Sequence, residues 1–229
     1  MASLRPFEAA DVLKFNLTNL DPLTETYDLS FYFSYIARWP HLFNVAEGRD
    51  GTIDGYMMGK LESSPSYYQF SEHFLPWHAH ITALTVAPHA RRLGLARTLS
   101  TSLERSGDEY DAWFVDLFVR KSNAIAQSLY KGMGYSVYRK VVSYYVDDLS
   151  GENEDGEDAY DMRKPLKRDK TRKHVRENGE TFEVDPSDVW RSPLRYATRL
   201  RISAFLDGQQ EELKRTGAIR KGLSNLNLA

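Results

Sequence analysis

The feature that most constrains this chain is a junction. The run Ile81-Thr82-Ala83-Leu84-Thr85-Val86 reads as a strand, passes through Ala87-Pro88, and reaches Arg91-Arg92-Leu93-Gly94-Leu95-Ala96, where helical spacing begins. A strand that enters a helix through a glycine-bearing turn gathers unpaired backbone N–H groups at the positive end of the helix dipole, which suits an anion. Arg91 and Arg92 add full positive charge, and Gly94 lets the backbone approach a ligand with no side chain in the way. Residues 91–96 are therefore a candidate cradle for a pyrophosphate. On these six residues alone, a plain strand-turn-helix carrying surface arginines reads equally well.

Composition limits what can be built around the junction. A chain of 229 residues, 41% hydrophobic and 13% aromatic, has room for one domain of roughly 150 residues and an extension. A net charge of −2 argues against nucleic-acid binding through the overall field. Without cysteine there is no disulfide, thiolate metal site or thiol acyl-enzyme, so group transfer would have to be direct. The first residues lack an apolar signal region and no run approaches the ~20 apolar residues of a membrane span, so the expected compartment is the cytoplasm, with no direct membrane contact.

Along the chain, residues 4–7 read as a short strand. A helix follows, carrying Val12, Leu13, Phe15 and Asn16, then a loop through Pro22 and a second helix carrying Phe31, Tyr32, Tyr35 and Ile36. Strands 42–47 and 53–61, split by Gly48-Arg49-Asp50-Gly51, form a hairpin. Residues 62–76 lack a period and read as an exposed loop. Strand 79–86 leads to the cradle helix, followed by strand 112–119, a helix from Asn123 through Lys131, the turn Gly132-Met133-Gly134, and a closing strand or pair of strands over 135–146. Beyond residue 150 the chain is acidic over 152–158 and basic over 164–176, expected to be a charged, largely flexible extension with one short helix near 194–206. The domain is thus expected to span 1–150 and the extension 151–229.

Two motifs in order narrow the reading. R-x-x-G-x-A after a strand ending Val-Ala-Pro, and later N-x-x-A-x-x-L-Y-x-x-x-G-Y from Asn123 to Tyr135, resemble the two coenzyme A motifs of the GCN5-related N-acetyltransferase superfamily. The resemblance covers roughly residues 1–150. It implies an α+β fold of α/β/α layers, with a mixed sheet of about seven strands, splayed central strands and four main helices. It also implies acetyl-CoA as cosubstrate and no metal. Leu84, Thr85 and Val86 would border the cofactor and offer backbone groups to its pantetheine arm, although the side chains of Leu84 and Val86 also read as core. Arg91, Arg92, Leu93, Gly94, Leu95 and Ala96 would hold its pyrophosphate. Asn123 would offer an amide, or merely cap its helix, and Tyr130 would meet the departing sulfur.

Longer strings, Leu20 to Tyr27, Phe114 to Arg120, Gly134 to Arg139 and Asp158 to Lys164, are similar to the catalytic subunits of NatB-type protein N-terminal acetyltransferases. That family implies acetylation of nascent chains beginning Met-Asp, Met-Glu, Met-Asn or Met-Gln. It also implies a large helical-repeat auxiliary subunit that brings the enzyme to the ribosome. Glu25 and Tyr27 would lie where the peptide enters, Glu25 alternatively capping the second helix. Phe118 would pack the initiator methionine or serve as core. His80 and Thr82, on one strand face, would meet the side chain at peptide position two, with protonated His80 favouring Asp and Glu. Tyr144 and Tyr145 would fold over the peptide and, with Tyr130 and His80, supply the catalytic groups. Adjacent strand residues face opposite ways, so both tyrosines reach one site only if the backbone bulges. The pair His78 and His80 lacks a third metal ligand. The loop over 63–77 is longer than that family usually carries, and the tail after about 190 matches nothing in it. Acetylation of another amine, or an acetyl-CoA-binding scaffold without catalysis, is the competing reading.

Overall fold

In the computed structural model, residues 2–21, 23–71, 74–145 and 156–189 are described. The expected order holds from the first strand to the sixth. It runs β1 (Ser3–Pro6), α1 (Asn16–Asn19), α2 (Leu29–Arg38), β2 (Phe43–Glu47), β3 (Ile53–Glu62), β4 (His78–Val86), α3 (Leu95–Glu109), β5 (Phe114–Arg120), α4 (Ala124–Lys131) and β6 (Ser136–Tyr145). Two further strands follow, β7 (Glu157–Pro165) and the two-residue β8 (Glu183–Val184). The sheet order is β1-β2-β3-β4-β5-β7-β6-β8. Among the described residues, only the β4–β5 and β6–β8 pairs are parallel.

Strand periodicity sorts the core into two layers. In β2 and β3, Ala46 and Met57 pack with Leu99 and Leu103 of α3, whereas Val45, Tyr56 and Met58 pack with Phe31, Tyr32 and Tyr35 of α2. Helix α3 can press onto β3 because Gly59 has no side chain. A Cβ there would stand 2.0 Å from Leu103 Cδ1. The first expected helix is instead a 3-10 turn (Ala9–Leu13) and a single α-turn. Asp11 is drawn inward to accept from Arg5 at 2.6 and 2.9 Å and from the Glu8 N–H at 2.8 Å.

The boundary at residue 150 is corrected. β7 lies between β5 and β6, paired with both along its length. Ala159 and Met162 are fully buried there. Beyond it, the basic stretch is anchored rather than loose. The Arg168 guanidinium lies 4.4 Å from the centre of the Trp113 ring, Arg176 packs on Tyr138 and Phe182, and Asp169 is buried, accepting from the N–H groups of Lys173 and His174. The helix expected near 194–206 lies outside the described residues. The loop between β3 and β4 contains a 3-10 turn (Ser66–Tyr68) and is tied at its base, where the Leu75 N–H donates to Ser64 Oγ at 3.0 Å.

Candidate active site

The site begins where β4 and β5 part. Their pairing covers only Ala79 with Val115, His80 with Asp116 and Ile81 with Leu117, after which both strands continue unpaired to each other. A bulge starts the divergence: Met58 pairs with Ala83 but Gly59 pairs with Ile81, leaving Thr82 as the extra residue. Its effect is visible in the packing, since Ile81 belongs to the α3 layer and Ala83 to the α2 layer. A regular strand would place both on one face. The opening is a cleft of about 570 Å³ including its open mouth, walled by residues 81–84 of β4 and 117–120 of β5.

Beyond the C-terminal end of β4, before α3, is the cradle. Arg92 and Gly94 both have positive φ, 66° and 83°. Gly94 is the N-cap of α3, and a Cβ there would meet nothing within 4 Å, so the glycine serves the left-handed turn and leaves open space above it. The first N–H groups of α3 have no acceptor within the helix. Arg92, Leu93 and Gly94 are exposed, and Leu95 and Ala96 are half-buried. Arg91 departs from expectation. Its Nε donates to the Val86 carbonyl at 3.1 Å and its guanidinium pairs with Asp21. It therefore ties the end of β4 to the loop after α1 and occupies one of the carbonyls expected to serve pantetheine. Thr85 is likewise structural, donating to the Thr18 carbonyl at 2.8 Å and lying 3.0 Å from Thr24 Oγ1. Leu84 lines the cleft.

Helix α4 supplies one wall. Asn123 lines the cleft while its oxygen accepts from the Ala126 N–H at 3.0 Å, so it does cap the helix. Tyr130 also lines the cleft, and burial pushes its phenol well above the ordinary tyrosine value. The hydroxyl stays protonated through the neutral range and can donate a hydrogen bond.

The opposite wall comes from the α1–α2 loop and the end of β6. Leu23, Thr24 and Glu25 line the cleft, but Glu25 does not cap α2, since Asp28 does so through the Phe31 N–H. Tyr27 stacks on Phe31 with ring centres 4.3 Å apart and belongs to the aromatic core beneath the loop. Tyr145 lines the cleft, and Tyr144 is brought against the lining residue Phe118. Val141 pairs with Ala159 and Tyr145 with Glu157, so three residues of β6 face one of β7, and Ser143 takes φ 47°. Tyr144 stacks on Phe118 at 4.6 Å, and the Tyr145 hydroxyl donates to the Phe118 carbonyl at 3.2 Å. Phe118 lines the cleft, and the two tyrosine rings meet edge to face at 5.0 Å beside it. Thr82 also lines it, with its hydroxyl 2.7 Å from that of Tyr35. His80 is deeper, its Nδ1 donating to Asp116 at 2.7 Å and its ring 6.0 Å from Phe118.

Arg120 joins these parts. Only 4% of its side chain is exposed. It donates to Glu157 at 3.0 Å and to Glu25 at 2.9 Å, and its guanidinium lies 4.0 Å from the centre of the Tyr145 ring. Sequence reasoning passed over Arg120 and Asp116. Charged residues inside the otherwise apolar run 114–119 and at its end were the available signal.

The comparisons agree with this geometry. Residues 14–135 match the model of the Acetyltransferase (GNAT) family. The N-terminal acetyltransferase B complex catalytic subunit of Schizosaccharomyces pombe is 51% identical over 191 residues, covering 82% of this chain and 99% of the relative. Its Saccharomyces cerevisiae counterpart is 41% identical over 203 residues, covering 82% of this chain and 99% of the relative. The crystal structure of Chaetomium thermophilum Naa20 with a bisubstrate analogue superposes with a TM-score of 0.81 at 59% identity, covering 82% of this chain and all of that one. The chain belongs to the GNAT acetyltransferase family, and within it groups with the N-terminal acetyltransferases.

Proposed function

We propose that this chain is the catalytic subunit of a NatB-type enzyme, transferring acetyl from acetyl-CoA to the α-amine of nascent chains that begin Met-Asp, Met-Glu, Met-Asn or Met-Gln. The observation that carries this reading is the cleft between β4 and β5, with a protonated phenol on one wall and a charged, aromatic clamp on the other. Arg92, Gly94 and the first turn of α3 hold the pyrophosphate, and the backbone of β4 beside Leu84 borders the pantetheine. The residues fit that ligand because the strands have already parted. No sheet bond has to break to admit it.

Glu25, Tyr145 and Phe118 frame the peptide's first residues, Phe118 packing the methionine. The α-amine, with a pKa near 8, loses its proton to water held among the Tyr144 and Tyr145 groups, and then attacks the thioester directly. Thr82 and Ala83 line the cleft at the bulge, where a peptide N–H can meet the developing oxyanion. The neutral Tyr130 phenol then donates a hydrogen bond to the leaving sulfur, which departs as the thiolate. Tyr130→Phe is expected to lower kcat roughly a hundredfold with little change in the KM for acetyl-CoA; an unchanged kcat removes this role.

The auxiliary subunit seats on the face of the first helical elements. Phe31, Tyr32 and Tyr35 of α2 are buried core, whereas Leu13, Leu20, Leu29 and Phe33 of the first helical elements are exposed. Attachment to the ribosome through that subunit and a cytoplasmic setting belong to the same reading. Among the described residues, no helix is long and apolar enough to cross a membrane. The test is to offer acetyl-CoA and a Met-Asp peptide with an internal lysine, and to locate the acetyl group by mass spectrometry. Modification of the α-amine alone supports the proposal, and modification of the lysine contradicts it.

A further inference from the structure

Lys60, His80, Asp116 and Arg163 stand in register on four neighbouring strands, β3, β4, β5 and β7. All four are buried, each 1–2% exposed. In-register residues project to one side of a sheet, so the row is continuous, and from His80 the strand runs on into Ile81 and Thr82 of the cleft lining. At its centre, Asp116 accepts from His80 Nδ1 at 2.7 Å.

The groups facing this pair come from every strand around it. On β3, the Lys60 ammonium lies 2.6 Å from Glu62, so that pair largely cancels. On β4, His78 Nε2 is 3.7 Å from the Asp116 carboxylate and 3.9 Å from Glu62. On β7, Arg163 is shared with Asp161, to which it donates at 2.9 and 3.1 Å. Tyr135, before β6, is buried and its phenol is pushed up by burial and by Glu104, so it stays neutral. Burial opposes charge on Asp116, yet His80 and His78, with Arg163, hold the carboxyl well below the usual carboxylate range. The attraction is mutual, so although burial opposes charge on His80 as well, the ionised Asp116 2.7 Å away favours imidazolium over imidazole there. An imidazolium discriminates between a carboxylate and a carboxamide of nearly equal shape, which a neutral ring does not.

We propose that Asp116 is the positioning residue that sets the preference for an acidic over an amide side chain at the second residue of the substrate, by holding positive charge on His80. This rests on reading the cleft as an N-terminal peptide site. The chemistry separates Met-Asp from Met-Asn within one accepted class, whereas Phe118 and the tyrosines recognise features that both share.

The experiment measures the ratio of kcat/KM for a Met-Asp peptide to that for the matching Met-Asn peptide from pH 5.5 to 8.5, in the wild type, Asp116→Asn and Asp116→Glu. Ionisation of the α-amine is common to both peptides and cancels in the ratio. The wild-type ratio should fall as pH rises and His80 loses its proton. In Asp116→Asn that fall should move to lower pH, reducing the ratio roughly tenfold at a pH where the wild type is still selective, with acetyl-CoA affinity unchanged. Asp116→Glu should restore the ratio in part. A ratio that is unchanged or higher in Asp116→Asn overturns the proposal, because the variant removes a negative charge and simple field arguments predict a rise. Should Asp116→Asn not fold, a flat wild-type ratio across the pH range overturns it equally. A wild type inactive on both peptides overturns the reading of the cleft, and the proposal with it; activity on both with no pH dependence overturns the proposal alone.

Discussion

A chain ending at residue 150 is expected not to fold. Truncation there removes β7 from between β5 and β6, leaving two facing strand edges without partners in the middle of the sheet. At about 1 kcal/mol for each ladder hydrogen bond, the nine residues of β7 outweigh much of the 5–15 kcal/mol that holds an ordinary domain together. Buried charges make the loss worse. Arg139, 2% exposed, pairs with Asp161 at 2.9 Å, and Arg120 pairs with Glu157. Deleting Asp161 and Glu157 leaves both cations without those counter-charges. Circular dichroism and thermal melting of the 1–150 fragment should show no cooperative transition. A cooperative melt like that of the full chain would show that β7 is dispensable and that the domain ends where composition suggested.

The second large effect is expected at Arg120. Arg120→Gln leaves the buried Glu157 carboxylate without its cation and releases Glu25 from the far wall of the cleft. Removing one partner of a buried ion pair costs about 3–5 kcal/mol, which for a domain of this size lowers Tm by roughly 10 °C. Arg120→Lys separates stability from function. It keeps the charge, but a single ammonium cannot reproduce a guanidinium fork that spans two carboxylates and stacks on Tyr145. Its Tm should recover most of the loss, while the KM for peptide rises about tenfold and the KM for acetyl-CoA stays near the wild-type value. A lysine variant with wild-type peptide KM would reduce Arg120 to a stabilising residue.

Why some of this was legible in sequence and some was not follows from the range of the interactions. The cradle, the hairpin and α4 are made by residues close together in the chain, where Gly94, Gly51 and Asn123 mark turns and caps. Their spacing alone carries the information. The clamp is different: Arg120 meets Glu25 across 95 residues and Glu157 across 37, and no local pattern encodes such a meeting. The acidic run that looked solvated conceals Glu157, which faces inward. Bulges were equally hidden. One extra residue at Thr82 parts the central strands, and the insertion at 142–144 brings two adjacent tyrosines to Phe118. Arg91 shows the reverse error, since proximity to Gly94 suggested a ligand contact whereas Asp21 takes the guanidinium.

The most direct test of the central claim is a competition. Equimolar peptides beginning Met-Asp, Met-Glu, Met-Asn, Met-Leu, Ser-Glu and Ala-Glu are offered with limiting acetyl-CoA to the chain together with its auxiliary subunit, and α-acetylated products are quantified by mass spectrometry. The account predicts that the first three peptides carry nearly all the label. Equal labelling of Ser-Glu or Ala-Glu, or labelling led by Met-Leu, would contradict it.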